Sequence, residues 1–256
     1  PPSSDATMSI TIEEPLADPM IHKAFPGGFA NLREYVYELE GRKDSWVKNM
    51  DDDTDMRWEY TYHGRLANYG QWKERGEWVG EFAVDQVQNT IDKLSAQPST
   101  RQAQMITWMP NLDLKIYDPP CLQSIWFRIL EDEDGVWWLN SNVRFRSNDA
   151  WGAFFMNAFG FIQFFKDVIA AGIAEKTGKD VQLGRVNWHA DSWHIYGSDL
   201  AEAEGRFFGR LETTTFAERT YNFHDEFIQQ MYLEEEAGIL AKIDEYTKKY
   251  EVQEEK

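Results

Sequence analysis

Apolar and polar positions organise the chain most clearly between residues 122 and 147, which alternate well enough for two or three strands. Two apolar runs stand in that region, Ile125-Trp126-Phe127 and Val136-Trp137-Trp138-Leu139. The polar Glu131-Asp132-Glu133-Asp134-Gly135 between them predicts a hairpin turn. Residues 153–175 follow, apolar nearly all round as far as Lys166, which predicts a buried helix closed by Gly178. Upstream, Leu32, Tyr35 and Leu39 share one face of a helix predicted from Leu32 to Glu40, with Asn31 as cap and Gly41 as stop. Glu34 and Glu38 sit one turn apart on it and read as solvated.

Val84, Val87, Ile91 and Leu94 predict a second helix before Pro98. Gln104–Met109 reads as a strand, Ser9–Ile12 as a short one, and Gln182–Tyr196 as strand, turn, strand. Residues 13–28, with three prolines and a Gly-Gly, read as loop, and Asp51-Asp52-Asp53 as a solvated turn. From about 200 to 247 the pattern is helical and amphipathic. The expected organisation is a mobile segment over 1–15, one domain over 16–247 and a charged tail over 248–256. There is no internal repeat, Walker or GxGxxG pattern.

Composition narrows the function. The chain has 256 residues, 42% hydrophobic and 15% aromatic, with eleven tryptophans, enough for one sizeable core. A formal charge of -18 argues against a general nucleic-acid or anionic-membrane surface. An anionic ligand would need a local arginine cluster. The single cysteine rules out an internal disulfide and Cys-rich zinc sites. The start lacks a signal-like pattern and no run of about 18 apolar residues appears, so a soluble cytoplasmic protein is the expectation.

The candidate chemistry lies around Asp118-Pro119-Pro120-Cys121. Two prolines stiffen the approach to the sulfur and push residue 118 toward an extended conformation. A thiolate there needs nearby positive charge. Arg144 and Arg146 are two apart on a predicted strand and point the same way, a geometry costly to bury without an anion. Phosphate matches guanidinium forks, and Ser147 adds a hydroxyl. His189, Asp191 and His194 fit no standard zinc spacing, and no metal site is expected. His194 and Tyr196 alternate onto one face, which suits hydroxyl recognition.

These residues resemble the thymidylate synthase family, in order from about residue 25 to 200, and most closely its shorter, archaeal-like members. Pro120-Cys121 resembles the family's Pro-Cys nucleophile site. Arg146-Ser147-Asn148-Asp149, with Asn157 eight residues later, matches its Arg-Ser-x-Asp…Asn pattern. Pro98-Ser99-Thr100-Arg101 resembles Pro-x-Ser-Arg-Arg with Gln102 in the last place, and Val84-Asp85-Gln86-Val87 resembles the Asp-Gln-Ile before it. His194-Ile195-Tyr196 resembles the sugar-holding His-x-Tyr, and Leu32-Arg33 through Glu38 the helix of the catalytic glutamate.

The resemblance implies an α+β fold, a large twisted mixed sheet covered by helices, in a homodimer packed sheet to sheet. It implies that Cys121 adds to C6 of a pyrimidine nucleoside monophosphate, so that C5 attacks a one-carbon unit on 5,10-methylene-tetrahydrofolate or a related reduced pterin. Arg146 and Ser147 would hold the phosphate, with Arg144 beside them and Arg101 reaching in from the neighbouring subunit. Asn157 would read uracil, favouring dUMP. Glu38 and Tyr60 would manage protons, Asp149 would sit by base and pterin, and His194 and Tyr196 would bind the 3′-hydroxyl. Of the two pterin-side tryptophans one is Trp46 and the other falls on Asn49. The histidine after the cysteine is Leu122, and the apolar closing tail is replaced by EVQEEK. These departures lean toward water capture and a hydroxymethyl product, with methylation of dUMP and a catalytically idle nucleotide binder as alternatives.

Overall fold

The computed structural model of the protein describes residues 2–254. Its frame is a five-stranded sheet of β1 (Ser4–Ile12), β2 (Ala103–Ile106), β3 (Leu122–Glu131), β4 (Trp137–Asp149) and β5 (Val181–Ile195). The spatial order is β1-β5-β4-β3-β2. All neighbours are antiparallel except the central β4–β5 pair, which is parallel. Parallel neighbours need a crossover, and the chain supplies one in the helical stretch between them. That stretch is α3 (Phe154–Phe164), continued by a π-helical segment Phe165–Ala170 and an α-helix Ala171–Thr177.

Strand alternation gives the sheet two unlike faces. Ile125, Phe127, Val143, Phe145, Trp188 and Ala190 are buried on one face, with Phe161 and Phe165 of the helical stretch in the same core. Phe145 stacks on Trp188 at 4.8 Å, and Phe127 meets Phe165 edge-on at 5.0 Å. Each such fully buried side chain contributes about 1.5–3 kcal/mol. The helical stretch Phe154–Thr177 has a mean hydropathy of 1.2, enough to suit a bilayer, but its apolar side chains fill this core. The other face carries Arg144, His189 and Asp191, and among the described residues no helix covers it.

Helix α1 (Phe29–Leu39) packs on α3 because Gly160 lets it come close. A Cβ there would stand 2.4 Å from Tyr35 Cδ1. Gly41, at φ +87°, follows the helix end. Helix α2 (Gln86–Ala96) starts two residues later than predicted, because Asp85 caps it through the Gln88 amide at 2.8 Å. The Gln86 side chain bonds the N–H and C=O of Ile106, at 2.9 and 2.8 Å, and β2 ends there rather than at Met109.

Three expectations are corrected. Residues 4–12, expected as part of a mobile end, form the edge strand β1, with Ser9 and Thr11 bonding His189 and Asn187. Residues 181–195 are one continuous strand. The pairing with β4 shifts register between Leu183 and Val186 but continues, and beyond it His189 and Asp191 take outward positions beside buried Trp188 and Ala190. The charged tail is not separate either: beyond α4 (Leu200–Arg206) and α5 (Glu226–Glu234), helix α6 runs from Glu236 to Glu254. Residues 255 and 256 of the expected tail lie outside the described residues.

Candidate functional site

Cys121 sits at the entry to β3, partly buried, and its approach is held from β4. The Arg146 amide donates to the Cys121 carbonyl at 2.8 Å. Its guanidinium donates to the carbonyls of Pro119 at 2.6 Å and Pro120 at 3.1 Å. The two prolines lack amide donors but keep their acceptors, and one arginine takes both. The next residue is fixed as well: Tyr62 Oη accepts the Leu122 amide at 3.3 Å, and the Thr107 hydroxyl donates to the Leu122 carbonyl. Burial pushes the Cys121 thiol up, the Arg146 charge pulls it down, and the Asp118 carboxylate pushes it up. Tyr60 lies against the same thiol, and burial, then that sulfur, raise its phenol.

Asn157, one turn into α3, is buried and its amide is fully oriented. Its Nδ2 donates to Tyr35 Oη at 2.8 Å, and its Oδ1 accepts from Asn148 Nδ2 at 3.2 Å. Asn148 Oδ1 in turn accepts from Trp188 Nε1 at 2.9 Å. This chain crosses from β5 through β4 to α3 and α1. Each member is satisfied, as buried polar groups must be. Oδ1 of Asn157 retains a lone pair and Nδ2 a second hydrogen, the complement of an imide or amide edge.

Glu34 and Glu38 differ in fate although one turn apart. Glu34 is bound by Lys43 at 2.6 Å and Lys242 at 2.9 Å. Glu38 faces inward, and burial raises its carboxyl to about 7; Lys43 opposes this, while Asp44 and Glu34 add to it. The expectation that both are solvated is therefore corrected for Glu38. Its charge also reaches the Tyr35 phenol, which ties it to the Asn157 cluster.

Asp149 ends β4 and shapes the turn into α3. Its Oδ1 accepts from the Trp151 and Gly152 amides, both at 3.0 Å, leaving Oδ2 without a protein donor among the described residues. His194 is buried, 3.3 Å from the Ser192 hydroxyl through Nδ1, with its ring 4.8 Å from that of exposed Tyr196. The Tyr196 phenol is raised by burial and by the carboxylate of Asp149, with Cys121 and Asp118 adding to it. Ser147 stands opposite Ser192 in the parallel pair.

Other predicted residues stand apart. Arg144 does not share the Arg146 setting: it pairs with Asp191 at 3.1 Å on the open face, where Asp191 also meets His189 at 3.1 Å. Arg101 is exposed beside that face, and its carbonyl accepts from Trp126 Nε1 at 3.0 Å. Trp46 is buried among this chain's own groups, with Trp58 at 5.4 Å, Tyr246 at 5.2 Å and Lys43 over its ring at 4.4 Å. Asn49 Oδ1 accepts the Gly76 amide at 2.7 Å, and the residue lines a cavity of about 480 Å³ together with Met56, Arg57 and Tyr250. Sequence reasoning passed over Tyr35, Tyr62, Asn148 and Asp118. Tyr35 was read only as a core position, and nothing in its spacing announces the partner 122 residues away.

Residues 31–235 match the family model described as Thymidylate synthase. A relative from Methanosarcina mazei is 31% identical over 62% of this chain and 64% of its own length. One from Methanocaldococcus jannaschii is 34% identical over 60% and 62%, and one from Methanococcoides burtonii 32% identical over 77% and 75%. All three carry the name "Putative thymidylate synthase". The chain therefore spans under two thirds of the length of the first two. The family match, however, covers most of the chain and includes Cys121, Arg146, Asp149 and Asn157, so the chain belongs to the thymidylate synthase family.

Proposed function

We propose that this chain transfers a one-carbon unit to C5 of a pyrimidine nucleoside monophosphate, dUMP in the first instance, through a covalent bond between Cys121 and C6. The observation that carries the reading is the convergence on Cys121 of Arg146 from β4, Tyr60, and Tyr35 with its bound Asn157. The Cys121 thiolate adds to C6, and the electron pair moves to C5 and O4. With a carrier bound, C5 would take the one-carbon unit as its bond to the carrier nitrogen breaks; C5 would then give up its proton, and addition of water or of hydride to the resulting methylene would accompany expulsion of the Cys121 thiolate from C6. Arg146 and Ser147 hold the phosphate, His194 and Tyr196 the 3′-hydroxyl, and Asn157 the O4 and N3–H edge. Glu38, with a carboxyl near 7, passes protons at that edge, and Tyr60 lies beside the thiol.

The residues present fit a reduced pterin in part. Asp149 Oδ2, with no protein donor among the described residues, can take a ring N–H, whereas Trp46 is covered by Tyr246 and the cavity at Asn49 is lined by none of Cys121, Asp149 or Asn157. A bound methylene-tetrahydrofolate supplies the one-carbon unit and, for methylation, the hydride.

Leu122 lies wholly in the core and Asn49 is not aromatic, which favours water reaching C5 and a hydroxymethyl product. Methyl transfer is the second reading, and the observation for it is that Tyr246 and Tyr250 of α6 cover Trp46 and can exclude water on that side. Mass spectrometry of dUMP, dCMP and CMP after incubation with methylene-tetrahydrofolate decides. A gain of about 30 Da means hydroxymethylation and about 14 Da means methylation. No gain with any of the three overturns the transfer reading and leaves a nucleotide binder. The open sheet face, with Arg101 beside it, is the surface for a homodimer, which sedimentation of the intact chain tests.

A further inference from the structure

We infer that a second anion site lies away from Cys121, in a cavity of about 280 Å³ walled by Lys23, Arg206, Arg210 and Arg219, and that it takes a phosphoryl or diphosphoryl group. In a chain of net charge -18 such a gathering of cations is out of keeping with the surface. Three separate segments contribute: 22–24, the end of α4 with the turn after it, and 214–219. Two carboxylates adjoin, and both are engaged. Glu202 pairs with Arg206 at 2.6 Å, and Glu218 accepts the Thr215 amide and hydroxyl at 2.7 and 2.8 Å. Among the described residues Lys23, Arg210 and Arg219 form no direct salt bridge; the Glu218 carboxylate, itself in the wall, offsets part of the Lys23 and Arg219 charge and leaves the cluster net positive.

Two of the three are already placed. Lys23 Nζ donates to the Glu218 carbonyl at 2.9 Å and lies 4.6 Å from the Tyr221 ring centre. Arg219 Nη1 donates to the carbonyls of Leu211 and Thr214 at 3.0 and 2.6 Å, while its buried Nε has no partner. Among the described residues Arg210 makes no side-chain hydrogen bond, and Thr214 adds a hydroxyl to the wall. Burial and the Arg219 charge keep His22 below its ordinary range, so it stays neutral at pH 7 and can give a further hydrogen bond. Guanidinium forks and an ammonium suit phosphate oxygens. The cavity is small for a whole nucleotide, so the group it holds is a phosphate or diphosphate, free or borne by a nucleoside left outside.

None of Cys121, Arg146, Asn157 or His194 lines this cavity. Its wall residue Ala24 packs with Trp151 and Ala203, however, and Trp151 follows Asp149 by two residues. A bound anion therefore braces the back of the turn that carries Asp149.

The inference does not depend on the transfer reading. The test is calorimetric titration of the full chain with inorganic pyrophosphate and, separately, with ADP, in Arg146→Ala, Arg210→Ala and Arg146→Ala/Arg210→Ala proteins. Arg146→Ala removes the other candidate phosphate ligand. We expect it to keep one pyrophosphate site, weakened at least tenfold by adding Arg210→Ala, with an unchanged melting temperature because Arg210 holds nothing in the fold. ADP bound more tightly than pyrophosphate at that site identifies a nucleotide-borne phosphate, and equal or weaker binding the free anion. Loss of pyrophosphate binding in Arg146→Ala alone, or no effect of Arg210→Ala, overturns the site.

Discussion

Arg144 and Arg146 stand two residues apart on β4, yet one is spent on the surface and the other holds the approach to Cys121. Arg144 meets Asp191 with both side chains well exposed, at 59% and 41%. Arg146 donates twice to Pro119 and Pro120, some 26 residues back along the chain. Alternation fixed where both point. It could not say what would arrive there, because Asp191 comes from β5 and the prolines from the loop before β3. The same contrast runs through the ion pairs. Arg65 and Asp113, at 4% and 0% exposure, form a two-pronged pair at 2.7 and 3.1 Å beneath the loop leading to Cys121. Geometry that positions the site is buried and long-range, while the open face carries pairs of the same chemistry that position little.

The largest effect falls on the sulfur. Cys121→Ser should lower C5 transfer by at least about a thousandfold at unchanged melting temperature, since the nucleophile is lost and not the fold. A variant retaining full activity refutes the covalent route. Next comes the buried pair. Asp113→Asn should cost about 3–5 kcal/mol in denaturant unfolding, because it leaves the Arg65 charge buried and unpaired. Asp191→Asn should cost no more than about 1 kcal/mol, and equal losses would erase the distinction between the two regions.

Arg146→Ala should reduce kcat/KM for the nucleotide roughly 10- to 100-fold, the worth of charged hydrogen bonds of about 1.5–3 kcal/mol. Arg144→Ala should reduce it far less, and the reverse order would show that the wrong arginine has been placed at the phosphate. The pH dependence separates Glu38 from Glu34. A carboxyl raised from 4.5 to about 7 binds its proton more tightly in the folded chain than in the unfolded one. Stability from this group therefore falls as pH rises from about 4.5 to 7 and stays low above. Glu38→Gln should remove that slope, so its melting temperature gains on the wild type between pH 5 and pH 8. A constant gap would mean that Glu38 is not buried as described. The smallest effect is on the thiol itself: Asp118→Asn removes a charge that raises it and should quicken alkylation at pH 7.5 by about twofold, whereas slower alkylation would contradict the placement of Asp118.

Much of this was legible in the sequence where local period and burial agree. The strands around residues 125 and 143, the helix from 154, and the order of Cys121, Arg146, Asp149 and Asn157 all follow from pattern or resemblance. What escaped depends on distant partners. Glu38 reads as solvated until α1 is packed against Gly160, and β1 reads as a loose end until β5 lies beside it. Trp46 reads as a cofactor platform until α6 returns to cover it, because a run as charged as residues 244–250 gives no hint that the rings of Tyr246 and Tyr250 lie against it.

The central claim is that Cys121 activates C5 of the nucleotide, and release of the C5 hydrogen measures it whatever the final product. With dUMP tritiated at C5 and methylene-tetrahydrofolate, wild type should release label to water, Cys121→Ser should release none above background, and Arg146→Ala should need far more nucleotide for the same rate. Release undiminished in Cys121→Ser, or none from wild type that demonstrably binds dUMP, would contradict the account.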